Sequence, residues 1–273
     1  MERLFSRKIV SCVTALFVSL FMLLCTLPAR ADEAPAEDKP TASLSVDVLS
    51  QYIFRGAALS KNSAVIQPSL TAGYKGFSFN MWGNWDSNDQ TPGGNFNRSG
   101  FNETDYTFSY SHELVSGLTG NIGGVYYNVD NFIDTLEVYG GLSYALPFVT
   151  VGVTGYREVD RGLGWWAQLD MAHTFELPVA GMTLDLGTSF GYASFEKDLN
   201  LLNTSGDVGT YSGLHSGQVL SALHIPFCKY FSVSPKVGFA FALSHKATQF
   251  LDANSLDGQH NHVFGGINLA ASF

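Results

Sequence analysis

Eleven side chains carry most of the chemistry that the sequence offers: Asp47, Arg55, Lys75, Trp82, Glu103, Asp105, Glu137, Trp166, Asp170, Asp185 and Lys236. Each falls on the polar side of a segment in which apolar and polar residues alternate. Carboxylates set against guanidinium and ammonium groups at such positions neutralise one another as an ion-pair network, which is the preferred reading. Left unpaired around an aqueous channel, the same charges would select ions. The two indoles could stack on a sugar or a nucleobase, or fill a narrow interior.

Other chemistry is hard to assemble. There is no Gly-rich phosphate loop, Walker motif, HExxH or CxxC. His260 and His262 form a spaced pair, but two histidines without a third ligand make a poor metal site, so neither metal nor cofactor is expected. Ser221 and His224 share a segment at i and i+3, which on a strand sends them to opposite faces. Ser244 and His245 are adjacent and also diverge. Asn203-Thr204-Ser205 matches a glycosylation pattern too short to carry a function. Of the 3 cysteines, Cys12 and Cys25 lie near the N-terminus, so Cys228 has no partner for an internal bridge.

Composition sets the frame. Charged residues make up 14% of the 273-residue chain, against roughly 25% in an average globular protein. Aromatics also reach 14%, and there are 28 glycines. The net charge of −9 argues against nucleic-acid binding. Beyond the N-terminal region no apolar run reaches the ~18 residues of a membrane helix. A chain solvated partly by lipid, without such helices, must close its strands into a barrel, because lipid cannot satisfy open strand edges.

Residues 1–31 read as a secretory signal. Arg3, Arg7 and Lys8 form the basic region, Ile9 to Leu27 the apolar region, and Ala29-Arg30-Ala31 a small-x-small cleavage site. The apolar region is longer than the usual ~15 residues, which leaves an uncleaved inner-membrane anchor as the alternative. Residues 32–41 (DEAPAEDKPT) are acidic and Pro-rich and read as a flexible periplasmic tail.

Residues 42–273 repeat one theme, segments of about ten residues alternating in polarity between turn residues, as in a transmembrane barrel. Twelve strands are predicted over 43–55, 64–75, 77–86, 102–112, 117–128, 135–145, 148–158, 165–175, 182–192, 217–227, 230–244 and 263–273. The segment 77–86 is the cleanest: Phe77, Phe79, Met81 and Trp85 oppose Ser78, Asn80, Trp82, Asn84 and Asp86. The phase of 117–128 is unclear because it is rich in glycine. Outward positions include Leu44, Val48, Tyr52, Phe54, Leu186, Val219, Phe239 and Ile267.

A β-sandwich alternates too, but three features favour the barrel. Connectors after even strands are short and most of those after odd strands are long, the asymmetry of periplasmic turns and extracellular loops. The longest connectors are rich in Asn, Asp, Ser and Gly. The last segment, Val263 to Phe273, resembles the C-terminal sorting signal of outer-membrane barrels, alternate apolar residues ending in Phe. Aromatics near strand ends, among them Tyr52, Phe54, Tyr74, Phe77, Tyr144, Phe148, Trp165 and Tyr192, would form two interfacial girdles. Arg55 is placed at the top of the first strand, needing an acidic partner, either Asp86 or a carboxylate on an infolding loop.

The stretch from Ser45 to Asp86 resembles the opening of a TorF-like family of bacterial porins. The matching pieces are Tyr52-Ile53-Phe54-Arg55-Gly56, Gln67-Pro68-Ser69, Tyr74-Lys75-Gly76-Phe77 and Trp82-Gly83-Asn84. The resemblance implies an outer-membrane pore and supplies no chemistry.

The expectation is therefore an all-β, twelve-stranded antiparallel barrel in the bacterial outer membrane. It would be a non-enzymatic pore passing small hydrophilic solutes or ions. A structural or adhesive barrel with a blocked lumen is the alternative, and a lipid-modifying enzyme the second. Expected partners are outer-membrane lipid and lipopolysaccharide, periplasmic chaperones and the barrel-assembly machinery, with no nucleic acid.

Overall fold

A computed structural model describes residues 39–90, 98–160, 164–179, 181–195 and 211–273. The signal segment and all but the end of the tail lie outside the described residues, as do parts of three long connectors. Among the described residues fourteen strands appear in chain order: β1 Thr41–Leu49, β2 Ile53–Phe54, β3 Ala57–Ala58, β4 Val65–Tyr74, β5 Phe77–Asp89, β6 Arg98–Val115 and β7 Leu118–Val129. They continue as β8 Thr135–Leu146, β9 Val149–Glu158, β10 Gly164–Glu176, β11 Thr183–Phe195, β12 Tyr211–Pro226, β13 Phe231–Ala242 and β14 His262–Ser272. Helix α1, His245–Asn254, links β13 to β14.

Strands β1 and β4 to β14 close into one barrel of sequential antiparallel neighbours. β1 seals it, pairing Leu44 with Ala271 on β14 and with Leu70 on β4. Closure removes every sheet edge, so no row of backbone donors and acceptors is left without a strand partner. No helix among the described residues is long and apolar enough to cross a membrane. Nine of the twelve predicted strands fall within three residues of the observed ones; strand one ends early, and strands four and ten begin early.

Alternation turns the apolar side chains outward. On β5, Phe77, Phe79 and Met81 are exposed while Asn84 and Asp86 are buried within the barrel. Leu186 on β11 and Phe239 on β13 are exposed too. This outer apolar surface continues around the barrel, the surface a lipid-solvated wall must have. On β7, Ile122 and Tyr126 point out, while Val125 and Tyr127 line the interior. Adjacent Gly123 and Gly124 had hidden that phase.

Two stretches depart from expectation for local reasons. The first strand ends at Leu49, and residues 50–64 turn into the barrel. There β2 and β3 form a small hairpin, Ile53 opposite Ala58 and Phe54 opposite Ala57. Its two-residue turn is Arg55-Gly56, with φ of 48° and 89°. Lys75-Gly76, with φ of 49° and 84°, joins β4 to β5 in the same way. Positive φ at both central residues is the hairpin turn matched to strand twist. Both basic residues therefore sit at turn tips and not in strands.

The second departure is α1, in a connector expected to be irregular. Ser244 caps it, accepting from the Ala247 amide at 3.1 Å. Ala247, Leu251 and Asn254 are its buried residues, spaced along one helical face. This face rests on the infolded hairpin: Leu256 donates its amide to the Ala58 carbonyl at 2.8 Å, and the Ala58 amide donates to Ser255 Oγ at 3.2 Å.

Candidate functional site

The infolded hairpin carries Arg55 to the centre of the lumen. Its guanidinium makes a bidentate contact with Glu137 on β8, Nη1 to Oε1 at 2.8 Å and Nη2 to Oε2 at 2.7 Å. The fork-to-carboxylate geometry fixes orientation as well as charge. Tyr127 donates its hydroxyl to the same Glu137 at 3.0 Å. Three rings surround the guanidinium, Phe54 at 4.9 Å, Tyr156 at 5.1 Å and Trp166 at 5.0 Å. Cation–π contact of this kind adds to the ion pair where water is excluded. Four strands round the wall, Ser216 of β12 donates to the Arg55 carbonyl at 2.9 Å. The hairpin thus spans the lumen from β8 to β12 as a clasp.

The expected partner of Arg55 is corrected. Asp86 does not meet it; its Oδ1 accepts from the Asn88 amide at 2.8 Å near the long-loop end. Gln51 and Gln67, on the segments flanking Arg55, bond elsewhere, to Asp257 and Asn84. The infolding segment carries the arginine, and the carboxylate waits on the wall. Tyr52 and Phe54 are corrected with it. Expected in the lipid girdle, they lie inside, Tyr52 against Trp82 at 5.5 Å and Phe54 edge-on to Tyr127 at 6.1 Å. Tyr74, Phe77, Tyr144, Phe148, Trp165 and Tyr192 are exposed, as girdle residues should be.

Lys75 is the third correction. At its turn tip it is exposed, with Nζ 5.4 Å from the Tyr74 ring, and it does not line the lumen. Lys236 does, pairing with Asp47 across β14 at 2.6 Å. Trp166 is 3% exposed and donates from Nε1 to Gln168, which donates to Asp170 at 2.7 Å. A Cβ at Gly191 would stand 2.1 Å from the Trp166 ring, so only glycine admits the indole there. Asp185 accepts from Thr174 at 2.6 Å, toward the short-turn mouth.

Glu103 and Asp105 follow one another along the inner face of β6. Glu103 is buried. Asp105 is flanked in register by Trp82 on β5 and Tyr127 on β7. A cavity of about 530 Å³ opens there, bounded by the clasp, Asp105, Tyr139, Gln168 and Gln218. The expected ion-pair network is thus only partial. Arg55 and Lys236 each take one carboxylate, while Glu103, Asp105, Asp170 and Asp185 have no cation partner among the described residues. The clasp's outer partners, Tyr127, Tyr156 and Ser216, were not singled out in the sequence. The available signal was Arg55-Gly56, a basic-Gly pair repeated at Lys75-Gly76.

The remaining polar residues do not gather into a reactive centre. Ser221 stands opposite Leu186 on the outer face, whereas His224 meets Ser234 at 3.4 Å. His260 and His262 turn to different carboxylates, Asp252 at 2.8 Å and Asp257 at 3.3 Å. No metal-holding group of three or more such side chains occurs among the described residues.

Clasp and cavity inside a closed wall define a twelve-stranded barrel with the fold of outer-membrane channels, as solved structures of that class bear out. A KdgM porin superposes with a TM-score of 0.52 at 11% identity, covering 85% of this chain and 99% of that one. An outer membrane channel of the COG4313 group from Pseudomonas putida F1 gives 0.52 at 10% identity, over 91% and 100%. The NanC porin gives 0.50 at 12% identity, over 84% and 98%. At these identities the likeness is one of fold. No protein-family profile and no curated protein matches the sequence.

Proposed function

We propose that the protein is a passive pore of the bacterial outer membrane, of the TorF-like group its opening residues resemble, and not an enzyme. The observation that carries this reading is the lumen itself. A wall that sets Asn, Gln, Ser and Thr side chains, Arg55 and the Asp105 carboxylate among aromatic rings leaves a cavity of about 530 Å³ in place of a packed apolar core. Polar lining with an apolar exterior is the arrangement of a water-filled barrel. The end holding both termini and the short turns faces the periplasm, and the clasp lies toward the long loops outside. Lipid and lipopolysaccharide cover the apolar band, and delivery runs through periplasmic chaperones and the barrel-assembly machinery.

The clasp itself favours a second reading, a barrel blocked at rest. Liposome swelling separates the two. Purified protein in multilamellar liposomes should admit solutes of the size of glycine and arabinose, with rates falling steeply as solute size grows. Folded protein that admits none of them would support the blocked barrel. A lipid-modifying enzyme gains no support from Ser221 and His224, which lie on opposite faces of β12.

A further inference from the structure

We infer that the cavity beneath the clasp binds a small organic ammonium ion, held by the Asp105 carboxylate and the aromatic rings beside it. The inference deepens the pore reading and rests on it for the route by which the cation arrives. In-register pairing puts Trp82, Asp105 and Tyr127 side by side on three consecutive strands. Tyr52 tilts against Trp82 at 5.5 Å, closing a third aromatic side. Asp105 Oδ1 is buried yet has no hydrogen-bond partner among the described residues. A buried, unpartnered carboxylate oxygen is costly unless a ligand satisfies it.

The cavity's charges point to a cation. Arg55 is already matched by Glu137 and enclosed by Phe54, Tyr156 and Trp166. Lys236 is matched by Asp47. Asp105 therefore has no basic partner of its own in a wall whose described residues offer no lysine or arginine besides Arg55. Aromatic faces beside a carboxylate suit an alkylated ammonium better than a bare metal ion, because the rings attract its diffuse charge and cover its methyl groups. The volume of about 530 Å³ lies within the range of small-molecule pockets. Asn80, Gln168 and Gln218 on the same wall leave room for polar substituents.

Isothermal titration of the full-length barrel in detergent, at fixed ionic strength, tests this with choline as the probe. Its uncharged isostere 3,3-dimethylbutan-1-ol and glucose are the comparisons. Choline should bind saturably, and the isostere at least tenfold more weakly. Asp105→Asn should weaken choline at least tenfold. Trp82→Leu should weaken it roughly 3- to 30-fold, with Trp82→Phe retaining most of the binding. Heat-modifiable gel mobility confirms that each variant is folded, and either residue's variants suffice alone. Equal binding of choline and its isostere, binding of glucose without choline, or choline binding unchanged in the variants would overturn the inference. Binding is read without conductance, so a barrel that binds choline but passes no solute would defeat the pore reading and leave this one standing.

Discussion

Arg55 and Glu137 decide what the lumen is. They are separated by 82 residues, and their bidentate contact is largely buried, with side-chain exposures of 17% and 11%. Removing one partner of a buried pair is strongly destabilising, because the other charge is left unmatched. In Glu137→Gln the arginine keeps only a neutral acceptor, Tyr127 loses its carboxylate, and the hairpin loses its hold on β8. The variant should lose about 3 kcal/mol of stability, the lower end of that range because water reaches the lumen. Single-channel conductance should rise as the hairpin detaches. Thermal melts followed by gel mobility check the first expectation and planar bilayers the second. Conductance and melting both unchanged would mean that the clasp neither narrows nor braces the barrel.

At the level of elements, much of this architecture was legible and some was not. The strands could be read because period two leaves a plain record when one side meets lipid and the other water, as Phe77, Phe79 and Met81 against Asn80, Trp82 and Asn84 show. Leu186 puts that reading at risk most sharply, since it lies on the outer face of β11, 41% exposed. Leu186→Arg near the midplane should cost roughly 2–4 kcal/mol in urea unfolding from lipid vesicles. A neutral effect would place this surface in water. The infolded hairpin was harder to read. Tyr52-Ile53-Phe54-Arg55 continues the alternation of β1, and its inward turn depends on Glu137 and Ser216, distant in sequence. Helix α1 left clearer marks, a Ser244 cap and the spacing of Ala247 and Leu251, obscured by a polar connector. Of the candidate site residues, Lys75 alone left the lumen, because the turn after β4 begins one residue before the expected strand end.

At the scale of the whole molecule, the lumen is lined by more carboxyl groups than cations, so the proposed pore should favour cations. Inward carboxylates outnumber inward cations, and Glu103, Asp105, Asp170 and Asp185 have no cation partner among the described residues. A confined wall of one sign concentrates counter-ions, and salt weakens the effect as the Debye length shrinks. The most direct test is the reversal potential of single channels in a planar bilayer under a KCl gradient. Discrete, ohmic conductance steps should appear, with a reversal potential displaced toward that of potassium and the displacement shrinking as total salt rises. Folded protein that inserts without conductance steps, or a reversal potential displaced toward chloride, would contradict it.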